Sequence, residues 1–149
     1  MPFVIAGGTV PFTPTSMTKN GAWQMTIPGG GVTWYQVPSW TAETGAYPGS
    51  VVVGNALQVS SDKAGATVQA SLPFSGGTGG STKQQARLLV DGVVVATGSQ
   101  VTGVSGTLTV SATVDVSAGS AVTVETTTDA SLQSWAASVT ATTGYVRIT

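Results

Sequence analysis

From Thr107 to Val116 the chain alternates without interruption. Leu108, Val110, Ala112, Val114 and Val116 are apolar, while Thr107, Thr109, Ser111, Thr113 and Asp115 between them are polar. A period of two marks a strand with one face on a core and the other in water or against a partner. It does not suit a helix, whose one-sided neighbours recur every three to four residues. Just upstream, residues 83–90 and 93–98 are two further strand-like runs separated by Asp91-Gly92. Both central residues of a type I′ turn need positive φ, which Gly and Asp accept, so this dipeptide predicts a two-residue hairpin. Residues 106–116 and 121–125 form a second pair of strands, joined by a Ser-Ala-Gly turn. Val110, Val114, Val122 and Val124 are the expected core positions.

The same pattern extends in both directions. Residues 64–74 alternate, with Val68, Ala70 and Leu72 inward and Thr67, Gln69 and Ser71 outward. Val51, Val53, Leu57 and Val59 flank Gly54-Asn55, which reads as a bulge or a turn. Residues 75–82 are a Gly-rich connector with none of the Lys-Ser/Thr continuation that cradles a phosphate. Near the end, Trp135, Ala137, Val139 and Ala141 share one face of an expected strand. Gly144 marks a kink or bulge, and residues 145–149 close the chain with Val146 and Ile148 inward. No segment has a helical period. The 149 residues suit one domain with a substantial core. The expected fold class is an all-β sandwich of about eight to ten antiparallel strands.

Residues 1–31 differ. Pro2, Pro11, Pro14 and Pro28 fall here, with glycines at 7–8 and 29–31. Proline cannot donate to a central ladder, so the segment is edge strand, arm or loop. Trp23, Met25 and Ile27 alternate with Gln24 and Thr26, which predicts one short strand. Two readings stand: a first sandwich strand with a long lead-in, or an extended arm ordered by neighbouring subunits. Phe3, Val4, Ile5, Val10 and Phe12 are too apolar for a solvated tail and are the candidate attachment residues. The chain is accordingly divided into an arm, 1–31, and a sandwich domain, 32–149. Residues 32–37 read as a strand and 39–49 as a turn-rich loop. Trp34, Tyr35, Trp40 and Tyr47 concentrate here and form the candidate aromatic contact surface. Such a cluster stacks on sugars, plugs the end of a sandwich or buries in an interface.

The residues that carry most chemistry are scarce. The chain has no Cys and no His, which removes disulfides, thiolate or imidazole metal sites, and the side chain most used as a base near neutral pH. Five basic and six acidic residues leave a net charge of −1, so no basic patch awaits nucleic acid. Solubility rests on 24 Thr and 16 Ser. A glycosidase would need a carboxylate pair at a defined separation, and only Glu43 and Asp62 lie in loops near aromatics. The serines lack a base to activate them. Asp91 and Asp129 fall in turns and Asp115 on an outer face, where turn formation and solvation explain them better than calcium. The expectation is therefore no enzyme, no catalytic residue, no metal and no cofactor. The start of the chain has neither the basic region nor the apolar run of a signal peptide, and no run reaches membrane-spanning length.

Three segments resemble the jelly-roll domains of the tumour-necrosis-factor and complement globular-head class. They are residues 87–98, with Asp91-Gly92 between apolar strands, the 116–124 turn region, and the closing Tyr145-Val146-Arg147-Ile148. Ser120 stands where such domains commonly carry an acid after the glycine. More closely, the chain resembles short virion proteins of tailed bacteriophages of actinobacteria, described as minor tail proteins. There, too, a segment like residues 40–49 precedes a strand like Ala56-Leu57-Gln58-Val59, and a strand like 145–148 ends the chain. This resemblance runs over residues 34–149. It implies a jelly-roll sandwich in a non-enzymatic structural subunit of the virion, with other virion proteins as neighbours. A capsid-decorating subunit is its close variant. The jelly-roll resemblance, together with the nearly uncharged surface, implies a homotrimer. A carbohydrate- or receptor-binding module using the Trp40 and Tyr47 loop, with a cell-surface glycan as ligand, is the alternative. Neither nucleic acid nor membrane is an expected partner.

Overall fold

The alternating segments between residues 63 and 125 all form strands, and the longest of them build the frame. In the computed structural model, which describes residues 11–149, the first strands are β1 (Thr15–Lys19), β2 (Trp23–Gln24), β3 (Tyr35–Gln36), β4 (Trp40–Ala42), β5 (Val52–Val53) and β6 (Ala56–Gln58). The long strands β7 (Lys63–Ser75), β8 (Lys83–Val90), β9 (Val93–Thr97), β10 (Val101–Thr102), β11 (Gly106–Val116) and β12 (Ala121–Thr128) follow with their short companions. After a 3-10 turn at Gln133–Trp135, β13 (Ser138–Val139) and β14 (Tyr145–Ile148) complete the order. Among the described residues the strands already exceed the expected eight to ten, because several ladders are two-residue pieces flanked by proline or glycine.

Among the described residues, two seven-stranded antiparallel sheets form a jelly-roll-like sandwich. The first runs β2-β13-β7-β14-β1-β4, with β11 also on β7. The second runs β10-β8-β12-β6-β5, with β3 on β12 and β9 on β8. Inward residues of both sheets meet in one core that includes Met17, Val68, Leu72, Phe74, Leu108 and Val110 from the first, and Leu57, Leu88, Val122 and Val124 from the second. Of the four valines expected there, only Val114 is half-buried. It sits beside the bulge where the β7–β11 register shifts between Val114 and Val116.

Turn chemistry was legible. Asp91 and Gly92 have φ of 49° and 79°, and Val90 faces Val93 across a two-residue hairpin. Gly54 and Asn55, at 58° and 61°, make the same kind of turn between β5 and β6. The expected second pair does not form a hairpin. β11 pairs with β7 from Gly106↔Phe74 to Val116↔Lys63, whereas β12 pairs with β8 from Val122↔Val90 to Thr128↔Gln84. The turn between them crosses from one sheet to the other. It is held there by Ala118 N–H on Asp62, Gly119 N–H on Val59 O and Ala121 N–H on Asp91. Alternation states that a strand has two faces; it is silent about which partner each edge takes.

Three further expectations are corrected. The sandwich does not begin at residue 32: β1 lies between β14 and β4 inside the first sheet, and β2 pairs with β13. Pro14 immediately precedes β1, where a missing donor is tolerated. The 39–49 stretch is not all loop, since it contains β4. The strand expected from Trp135 is a 3-10 turn, and only Ser138–Val139 pairs. There the Gln133 side chain binds Met25 O and Ile27 N–H, and Gln24 binds the carbonyls of Gln133 and Ala136, taking the place of ladder bonds.

Candidate functional site

The outward face of the first sheet carries the site. Because Ala70, Val110, Val146 and Met17 point into the core, the residues between them point out. The register aligns these into two rungs. Thr109 faces Ser71, which faces Tyr145, which faces Thr18; Ser111 faces Gln69, which faces Arg147, which faces Ser16. Arg147 is the hub. Its guanidinium stacks 3.9 Å from the Tyr145 ring centroid and 5.3 Å from that of Tyr47. Its Nε donates to Ser16 Oγ at 3.3 Å, and its Nη2 lies 3.6 Å from Glu43 Oε2. Ser16 Oγ in turn donates to Glu43 Oε2 at 2.6 Å. Each ring contact is worth about 0.5–1 kcal/mol at such partly exposed sites, and the ion pair adds up to about 1 kcal/mol.

Beside this hub lies a groove of about 350 Å³. Gln69, Ser71, Thr109 and Ser111 line it from the sheet with Ala70 and Val110 at its floor, Tyr145 from β14, and Thr97, Gly98 and Ser99 from the corner at the end of β9. Gly98 makes that corner possible. Its N–H donates to Ala86 O, and its carbonyl accepts from Gln85 Nε2 at 2.7 Å. A Cβ there would lie 2.1 Å from Thr109 O, so only glycine lets the corner approach β11 this closely.

The four aromatics expected to form one surface are dispersed. Trp40 is buried, with its indole N–H on Val37 O at 2.7 Å, so it plugs the core and cannot offer a contact. Trp34 stacks on Arg87, which is paired with Glu125 at 2.6 Å on the second sheet. Tyr35 is half-buried, with its hydroxyl on Gly29 O. Only Tyr47 joins the Arg147 hub. Of the candidate attachment residues, Phe12 packs against the chain's own core beneath the Lys63 ammonium, 4.8 Å from its ring centroid. Phe3, Val4, Ile5 and Val10 lie outside the described residues.

Every carboxylate of the chain has a structural partner. Asp62, Asp91, Asp115 and Asp129 each accept a backbone N–H from a distant segment: Ala118, Ala121, Gly65 and Lys83 respectively. The Ala121 N–H, with a smaller contribution from the Ser120 side chain, holds the Asp91 carboxyl below its ordinary range. Glu43 and Glu125 are taken by Arg147 and Arg87. Among the described residues, no three acidic side chains gather as a metal site.

One buried cation escaped the reading of the sequence. Lys19 shares the inward face of β1 with Met17 and is 4% exposed. Its ammonium donates to the carbonyls of Pro38 and Ser39 and lies 5.3 Å from the Trp40 ring centroid. Burial lowers its pKa from 10.5 to about 8. Its position two residues after Met17 was the available signal.

The fold and this face define a jelly-roll-like antiparallel sandwich with a polar, uncharged groove. No family model and no curated protein matches the chain. Among solved structures it is similar to Eiger TNF from S. frugiperda, at 10% identity and a TM-score of 0.57, covering 93% of this chain and 92% of that one. It also matches the carbohydrate-binding module CBM36 in complex with calcium and xylotriose, at 15% identity over 86% and 98% of the two chains, with a TM-score of 0.34. The first likeness speaks to fold alone, and nothing is argued from the second.

Proposed function

We propose that the chain is a non-enzymatic structural subunit of a tailed-phage virion, a minor tail protein that assembles as a homotrimer. The observation that carries the assembly reading is a pair of exposed apolar edges. Val51 and Val53 at the β5 edge of the second sheet are 50% and 62% exposed, and Val93 and Val94 of β9, at the opposite edge, 67% and 42%. Unpaired apolar edges are a liability in a monomer, and two different edges that meet between copies close a ring. The non-enzymatic reading is supported by the engagement of all six carboxylates in a chain without His or Cys. The virion placement rests on the resemblance over residues 34–149.

Light scattering on the purified chain tests the assembly, with a trimer expected. A stable monomer at micromolar concentration would refute it. Mass spectrometry of purified particles from the organism that carries the gene should find the chain, and immunogold labelling should place it on tails. Label on heads would favour capsid decoration, and particles lacking the chain would end the virion reading. Removing residues 1–10 should leave a folded domain that no longer enters particles; normal incorporation would rule out the arm as the anchor.

A further inference from the structure

We infer that the groove between the 97–99 corner and Tyr145 binds a short neutral saccharide. Its lining supplies one carboxamide, on Gln69, and hydroxyls on Ser71, Thr97, Ser99, Thr109, Ser111 and Tyr145. None of these seven side chains makes a hydrogen bond to the described protein, although Gln85 and Ser16 nearby do. Seven adjacent polar groups, each able to donate and accept, suit a ligand that is itself a dense array of hydroxyls.

Charge narrows the class. No ionised side chain lines the groove, and the neighbouring cation, Arg147, is engaged by the Tyr145 and Tyr47 rings and paired with Glu43. A phosphate or sulfate would need an unpaired cation, and an apolar peptide would need more apolar wall than Ala70 and Val110 at the groove floor provide. Tyr145 adds an aromatic wall with a hydroxyl at its tip, and Arg147, 3.9 Å from the ring centroid, holds that ring in place. A volume of about 350 Å³ is at the low end for small-molecule sites, which favours a short ligand. The groove is also built rather than incidental, since its wall depends on a corner that only Gly98 allows.

The test is titration of the isotope-labelled chain with a panel of neutral oligosaccharides (chitotriose, maltotriose, cellotriose and a galactose oligomer) followed by amide chemical shifts. At least one sugar at millimolar concentration should shift Ser71, Ser99, Thr109, Ser111 and Tyr145 together. Thr109→Val and Ser111→Ala, both at exposed side chains, should each weaken binding roughly five- to tenfold, the loss of one good hydrogen bond. Thr113→Val, outside the groove on the same strand, should leave affinity unchanged. No shift with any sugar would overturn the inference, as would shifts centred on Trp34. So would shifts of the groove residues that follow protein concentration alone, which would make the groove an interface between copies. Because oligomeric state is read separately, failure here leaves the assembly reading intact.

Discussion

Gly98→Ala isolates the contact that makes the groove. The added Cβ would sit 2.1 Å from Thr109 O and 3.3 Å from Val110 Cβ. A carbon resting on a carbonyl oxygen needs about 3.3 Å, so the corner must retreat by about 1 Å. Overpacking against backbone costs about 1–3 kcal/mol, since a carbonyl in a ladder cannot rotate aside. The retreat also stretches the Gly98–Ala86 backbone bond at 2.9 Å and the Gln85 side-chain bond at 2.7 Å, each worth about 1 kcal/mol net. The expected loss is about 2–4 kcal/mol, and the urea midpoint should fall by about 1–2 M. Gly45→Ala is the control: no atom lies within 4 Å of its Cβ, and its effect should stay within about 0.5 kcal/mol. Gly98 has no positive φ, so backbone strain cannot produce the difference. Equal midpoints for the two variants would refute the close approach, and the groove wall with it.

Gly92→Val should cost about 1–2 kcal/mol in the same assay, because the residue holds φ +79° in a two-residue turn; a neutral variant would contradict that turn. Val110→Asp places an unpaired charge at a position 5% exposed and should cost more than about 3 kcal/mol. Thr109→Asp, on the exposed face of the same strand, should cost under about 1 kcal/mol; equal losses would mean that β11 is flipped. Lys19 gives a pH signature. With its folded pKa near 8 and an ordinary value of 10.5, the unfolded chain binds more protons between these values. The burial penalty is therefore present in full below about pH 8 and relieved as pH rises to 10.5. Stability relative to Lys19→Met should rise across that window by at most about 1.4 kcal/mol per pH unit; a flat or falling difference would refute the assignment.

The local order of this chain was legible because its causes are local. The alternation from Leu108 to Val116 dictates which side chains enter a core, and Asp91-Gly92 dictates a turn, through the sterics of a few adjacent residues. The absence of His and Cys bounds the chemistry from composition alone. Partner choice belongs to the tertiary structure. Nothing within residues 106–128 shows that β11 joins β7 while β12 joins β8, since both strands offer two edges and the competing partners lie tens of residues away. For the same reason Trp40, in a stretch rich in turn residues, is buried beside Lys19, whose own burial follows from that packing. The candidate groove gathers residues 69–71, 97–99, 109–111 and 145. In the sequence these are ordinary serines and threonines of outer strand faces. Only the register that sets Thr109 beside Ser71 and Tyr145, and the corner that Gly98 lets approach, make them one surface.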